Sequence, residues 1–489
     1  MKSTKTALEE IVGVEHVYDD PVVIEGYASD QSDAPRRSPH FVVRPKTAAQ
    51  VQALVVWANE TETPLVAVSS GPPHFHGDTV PSQPESVIVD LSRMNEIKRI
   101  DRRNKIALIE PGVTYAELEP ELAAYGLRVS HPLLPRANKS VIASLLERQP
   151  TTIPRFNYSL PEPLRNCGVV WGTGEIAFTG EAGNGPLNLE DQWKRGVSQV
   201  DPKGPNATDL MRLVTGAQGT MGVVVWASVK CELLPASKHY VFVSGEKLED
   251  LIDFCYKIER IRLGDEVMCV NAAQFASMLA NGDGKWKDAK NALPEWTVII
   301  GLAGAGLFPA ERVQVQELDL GRIVQQCGLT LTHGLGNVNS AAVSQALDRC
   351  SQETYYKLRS KGACEEIFFL TTLDKAPGFL QTVFAIATRN DYEMSQLGVY
   401  IQPQHHGVSQ HVEFSLPYDS QDSHETRRVK RLVAEASEAL MRQGAYFSRP
   451  YGEWAEMVYK RDADSRRILR VVKQIVDPKN VMNPGKLCF

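Results

Sequence analysis

What this sequence lacks narrows the field first. No apolar run in its 489 residues approaches the ~18 that a bilayer span requires, so no membrane span is expected. The start, MKSTKTALEEIVG, has no apolar signal core and reads as the beginning of a helix in a cytoplasmic protein. Eight cysteines are scattered from Cys167 to Cys488 with no C-x-x-C pair, which argues against a disulfide framework and against an iron–sulfur or zinc site of that kind. There is no excess of positive charge: the formal net charge of -6 excludes nucleic acid as the main partner. Low-complexity segments and repeats of 20 to 50 residues are also missing. The remaining composition, 43% hydrophobic and 23% charged, is that of a globular chain long enough for two or three cores.

What is present is an alternation of strand and helix with short connections. HFVVRPK reads as a strand, and TAAQVQALVVWANET as a helix capped by Thr47. PLVAVSS, SVIVDLSRM and KIALIEPGV read as strands, and TYAELEPELAAYG as a helix closed by Gly126. Composition shifts near Pro235. Beyond it, HYVFVSGEKLEDLIDFCYKIERI and WTVIIGLAGAG with its following helix repeat a sheet-and-helix theme. SHETRRVKRLVAEASEALMRQG is a long amphipathic helix.

Two stretches stand out chemically. VSSGPPHFHGDTVP, residues 68–81, is small-residued and rigid, with Gly71, Gly77 and two histidines. His74 and His76 there are either loop residues bonding backbone or contacts to a ligand. YIQPQHHGVSQHVEF is polar in an apolar setting. Strand alternation puts His411, Glu413 and Ser415 on one face and Val412, Phe414 and Leu416 on the other, while Tyr400, Gln402 and Gln404 share a face of the preceding strand.

Six segments in order, RPKTAAQVQALVVWA, PLVAVSSG, VIVDLSRMN, IEPGVTYAELEPEL, GAQGTMGVV and VDPKNVMNPGKL, together resemble the FAD-linked oxidase superfamily of the vanillyl-alcohol oxidase and p-cresol methylhydroxylase type, which also includes D-2-hydroxyacid dehydrogenases. The resemblance implies an α+β fold: a two-subdomain FAD-binding domain over 1–235, an α+β substrate cap over 236–445, and a C-terminal segment, 446–489, returning to the FAD domain. It implies non-covalent FAD, with Ser70, Gly71, His74, His76 and Gly77 around the diphosphate. Asn138, Ser140 and Ser144 fall near the ring, Gly219, Gly222 and Val224 at the adenine or diphosphate, and Asn483 and Lys486 in the closing tail. The departure is Pro72-Pro73, where two N–H donors are missing.

The metal ligands of some hydroxyacid dehydrogenases are broken here. His411 matches one histidine, Gln404 replaces the other, and the later Glu-His falls at Arg449-Pro450, so no metal is expected. GAYFSRPYG resembles the phenol-oxidising branch, making Arg449, Tyr446 and Tyr451 candidates. His411, His405, His406 or Tyr446 would serve as base, beside Glu413. The expected activity is hydride transfer from a small phenolic alcohol or alkylphenol to flavin N5. The alternatives are a D-2-hydroxyacid substrate and a non-catalytic subunit of a flavoprotein complex. The electron acceptor, whether dioxygen, a cytochrome or a flavoprotein, stays open, and a homo-oligomer is the family expectation.

Overall fold

The structure is a computed structural model describing residues 3–154, 163–186, 188–204, 208–279, 290–348, 350–351, 355–404 and 407–489. Three main sheets organise it. The first has four strands in the order Val17–Tyr18, Phe41–Val43, Val87–Asp90, Leu65–Val68; the last three are parallel. The helix Ala48–Thr61 makes the crossover between Phe41–Val43 and Leu65–Val68, and the Thr47 side chain caps its N-terminus by accepting from the Gln50 N–H. Val51, Leu54, Val55 and Ala58 bury the helix against this sheet.

The second sheet is antiparallel and is centred on the long strand Gly222–Leu233, which pairs with Ile106–Ile109, Leu164–Trp171 and Leu127–Val129. Its edge strand Ile97–Asp101, sequence IKRID, carries charges and is only half-buried, so its apolar signal is weak. The third sheet has seven strands in the order Leu331–Thr332, Ser237–Gly245, Trp296–Gly304, Glu266–Asn271, Gly398–Gln404, Ser409–Asp419, Gly362–Thr371. Helices Glu249–Arg260, Pro309–Gln326, Ala376–Arg389 and Ser423–Arg442 contribute to the core on one of its faces. Among the described residues no helix is long and apolar enough to cross a membrane.

The C-terminal tail closes on the first sheet. Leu65 bridges Met482 in parallel, and the Leu65 N–H donates to Val481 O at 2.8 Å. Asp477 accepts from the Val481 and Met482 N–H groups, while the buried Lys473 ammonium donates to Asp477, Thr220 O and Met482 O. One carboxylate thus pins the NPGK turn beside the loop that precedes Gly222.

Candidate active site

A cleft of about 1650 Å³, part of it open solvent, runs from the end of the Leu65–Val68 strand to the polar face of the third sheet. At one end its walls come from loops and the start of the strand Gly222–Leu233: Ser69 and Ser70, His74 to His76, Asp78 and Thr79, Gly216 to Gly219, and Met221 to Val224. At the other end they are side chains: Tyr355, Tyr356, Lys357, Glu366, Tyr400, Glu413, Arg449 and Tyr451.

The side-chain end is built by strand register. Ser409–Asp419 pairs with Gly398–Gln404 so that Tyr400 faces Glu413 and Gln402 faces His411. Val412, Phe414 and Leu416 go into the core on the other face, as the alternation predicts. On the next strand Phe368 lies opposite Glu413. The Lys357 ammonium donates to Glu366 at 2.6 Å and to Glu413. His411 Nε2 lies 3.2 Å from the other Glu413 oxygen. Burial works to raise the Glu413 carboxyl, but the Lys357 charge and the His411 bond hold it well below the usual range. Burial also keeps His411 below its ordinary value, against the opposing pull of Glu413. His411 therefore stands behind Glu413, outside the lining.

Arg449 is 7% exposed, its guanidinium carbon 4.1 Å from the Phe368 ring centre. It has no hydrogen bond or ion pair among the described residues. Its backbone is clamped from the opposite wall: Arg148 Nη2 donates to Ser448 O at 2.9 Å, and Gln218 Nε2 to Pro450 O at 2.7 Å. His76 stacks on Tyr451, ring centres 4.4 Å apart, and meets Phe368 edge-on. Burial lowers His76, with Arg449 and Lys139 adding to the effect against Glu366 and Glu147. In the same loop burial, with Arg136 and Lys139, brings His74 down to about 4, and burial together with Glu147 raises Asp78 to about 7.

The FAD binding domain family matches residues 39–148. An uncharacterised FAD-linked oxidoreductase of Mycobacterium tuberculosis is 22% identical over 99% of both chains. D-lactate dehydrogenase [cytochrome] of Arabidopsis thaliana is 21% identical over 92% of this chain and 73% of its own. A crystal structure of p-cresol methylhydroxylase with substrate bound superposes with a TM-score of 0.82 at 17% identity, over 99% of this chain and 96% of that one. Residues 39–148 thus carry an FAD binding domain, and the whole chain has the fold of p-cresol methylhydroxylase. It is an FAD-dependent oxidoreductase.

The loop end of the cleft fits an FAD diphosphate. No acceptor among the described residues is recorded for the N–H groups of His74, Phe75, His76 and Thr79, and free main-chain donors beside a cleft suit an anion. Gly219, at φ +72°, has open space beside it: a methyl group there would meet nothing nearer than Asn483 Nδ2 at 3.9 Å. The diproline does not obstruct the cradle. Pro72 and Pro73, joined by a cis peptide, are outside the lining, and the donors they lack come from the residues that follow.

The sequence-derived candidates divide by position. Ser70, His74, His76, Gly219, Gly222, Val224, Glu413 and Arg449 line the cleft. The others brace its walls. The Gly71 N–H donates to Asn138 O, and Asn138 Nδ2 donates to Pro72 O. Ser140 caps the helix Val141–Leu146 and donates to Pro111 O; Ser144 accepts from the Tyr115 hydroxyl. Gly77 O accepts from Lys486 Nζ, and Asn483 Nδ2 donates to Asp78 O and Gln218 O. Neither Asn483 nor Lys486 touches the cleft. Tyr446 is a correction to the expectation: it is 62% exposed and outside the lining. Its backbone pairs with Leu370 in extended form, so Ala445 and Phe447 turn inward and Tyr446 outward. Tyr451, five residues on, takes the inner place. His405 and His406 lie outside the described residues. Tyr355, Tyr356, Lys357, Glu366 and Glu147 are cleft residues that no sequence signal singled out.

Proposed function

We propose that this oxidoreductase takes hydride from the side chain of a small phenolic alcohol or alkylphenol. The observation that carries the reading is Arg449, a buried guanidinium facing the cleft that makes no hydrogen bond or ion pair among the described residues. The neighbouring cations are engaged: Lys357 with Glu366 and Glu413, Lys139 with Glu147 at 2.5 Å. Bound FAD supplies the two-electron acceptor, with hydride delivered to N5.

The chain's own residues do the rest. Arg449 stabilises negative charge, which is a phenolate on the substrate. His76, neutral at pH 7 because burial lowers it, takes the phenolic proton at a ring nitrogen. Tyr451 and Phe368 fix the plane of that ring. Phe75, Tyr355 and Tyr451 give the pocket aromatic walls. The likeness to p-cresol methylhydroxylase supports this reading. A D-2-hydroxyacid is the second reading: a guanidinium also grips a carboxylate in bidentate fashion, and the likeness to D-lactate dehydrogenase supports it. The division into 1–235, 236–445 and 446–489 is part of the same proposal; the strand Gly222–Leu233 ends just before Pro235 and Ser237–Gly245 begins just after it.

Anaerobic mixing with a panel of para-substituted phenols and 2-hydroxyacids tests the choice. Bleaching of the flavin by the phenols and not by D-lactate or glycolate is expected; bleaching by the hydroxyacids alone refutes it.

A further inference from the structure

We propose that His239, Glu317 and His333 form a binding site for a divalent first-row cation of the zinc type, at the edge of the third sheet and outside the flavin cleft. Three separate segments supply the donors. His239 belongs to the strand Ser237–Gly245, Glu317 to the helix Pro309–Gln326, and His333 follows the edge strand Leu331–Thr332. The helix is held to the sheet next to this point, because Gln316 Nε2 donates to Ala303 O at 2.9 Å.

Both imidazoles turn the same nitrogen to the one carboxylate. His239 Nε2 lies 3.2 Å from Glu317 Oε2, and His333 Nε2 lies 3.2 Å from Glu317 Oε1. All the donor atoms fall within 4.8 Å of one another. Hydrogen bonding does not account for the arrangement. His239 Nε2 is buried and has no hydrogen-bond partner despite its nearness to the carboxylate, and the His333 approach has no hydrogen-bond geometry either. The spacing is that of ligands sharing a metal: with zinc–nitrogen bonds of ~2.0–2.1 Å, the edge of a tetrahedron is ~3.3 Å. Two imidazoles and a carboxylate suit zinc and its neighbours, not calcium or magnesium. The His333 side chain, 65% exposed, leaves an entry path and room for water as a further ligand. A metal there ties the two-residue edge strand to the helix beside it. The site is independent of the substrate proposed above.

The test uses full-length holoprotein, stripped with chelator, dialysed, and titrated with Zn²⁺ by calorimetry beside His333→Ala and Glu317→Gln. One equivalent bound by the parent, at least about tenfold weaker binding in each variant, and unchanged flavin absorbance and turnover are expected. Melting curves recorded in zinc-free buffer check that both variants are folded. The parent rises in melting temperature when zinc is added and the variants do not. Absence of saturable zinc binding by the parent, or equal stoichiometry and affinity in parent and variants, overturns the proposal.

Discussion

Replacing Arg449 by Ala removes a buried cleft cation that makes no ion pair among the described residues. The guanidinium is 7% exposed, and its distance of 4.1 Å from the Phe368 ring leaves its nitrogens free for an anion in the cleft. At an effective dielectric constant near 20, a unit charge ~4 Å from a developing negative charge is worth about 4 kcal/mol. At 1.36 kcal/mol per decade that is about a thousandfold in rate. Loss of a single anion-stabilising donor from enzyme sites costs about 10²–10³-fold, so the two routes agree on two to three orders of magnitude. The contact with Phe368 is present before and during reaction and adds nothing to this difference. Arg449→Lys keeps the charge but loses the planar fork, and its rate falls between the two. The assay is anaerobic stopped-flow reduction of the flavin at saturating substrate, with melting curves as the control for folding. A reduction rate in folded Arg449→Ala within about threefold of the parent would falsify the assigned role.

Other consequences concern stability and pH. Asp78, raised to about 7, keeps a proton in the folded protein that the unfolded chain releases, so its contribution is present at low pH and lost as pH rises from about 4 through 7. Asp78→Asn should therefore gain on the parent across that window, by a few kcal/mol at most; a difference in melting temperature that does not change with pH contradicts this. His74, lowered to about 4, has the opposite sign: stability is lost as pH falls from about 6.5 toward 4, and His74→Gln should lessen that loss, which pH-dependent unfolding would detect. A methyl group at Gly112 would lie 2.6 Å from Leu91 O and 2.8 Å from Met94 O and Ser92 O, all main-chain atoms; Gly112→Ala should lose about 1–3 kcal/mol in denaturant unfolding, and no loss argues against the packing described. Lys357→Met strands the buried Glu413 and the half-buried Glu366, and a penalty of about 3–5 kcal/mol is expected; under 1 kcal/mol would mean that the Lys357 network is not formed.

How far the sequence was legible depended on whether the signal was local. The Thr47 cap and the apolar spacing after it foretold the helix Ala48–Thr61. Alternation along 409–419 foretold which face of that strand would be polar. The charged strand Ile97–Asp101 gave no such pattern. Lys357 sits in a single short 3-10 turn, Tyr356–Leu358, and its role arises only when two strands pair and bring Glu366 and Glu413 to it. Near Arg449 the resemblance made both Tyr446 and Tyr451 candidates, and the pairing of Tyr446 with Leu370 turns the first ring outward while Tyr451 lies inside. The diproline read as a loss of anion donors. The chain instead folds Pro72 and Pro73 out of the cleft and leaves the N–H groups of His74, Phe75, His76 and Thr79 without a recorded acceptor.

Diffraction from crystals of the yellow holoprotein tests the central claim most directly. Density for the FAD diphosphate within hydrogen-bond reach of N–H groups among His74, Phe75, His76 and Thr79, with the isoalloxazine extending toward Arg449 and Glu413, is the predicted result. Flavin density elsewhere in the molecule, or a diphosphate held away from this loop, would contradict it.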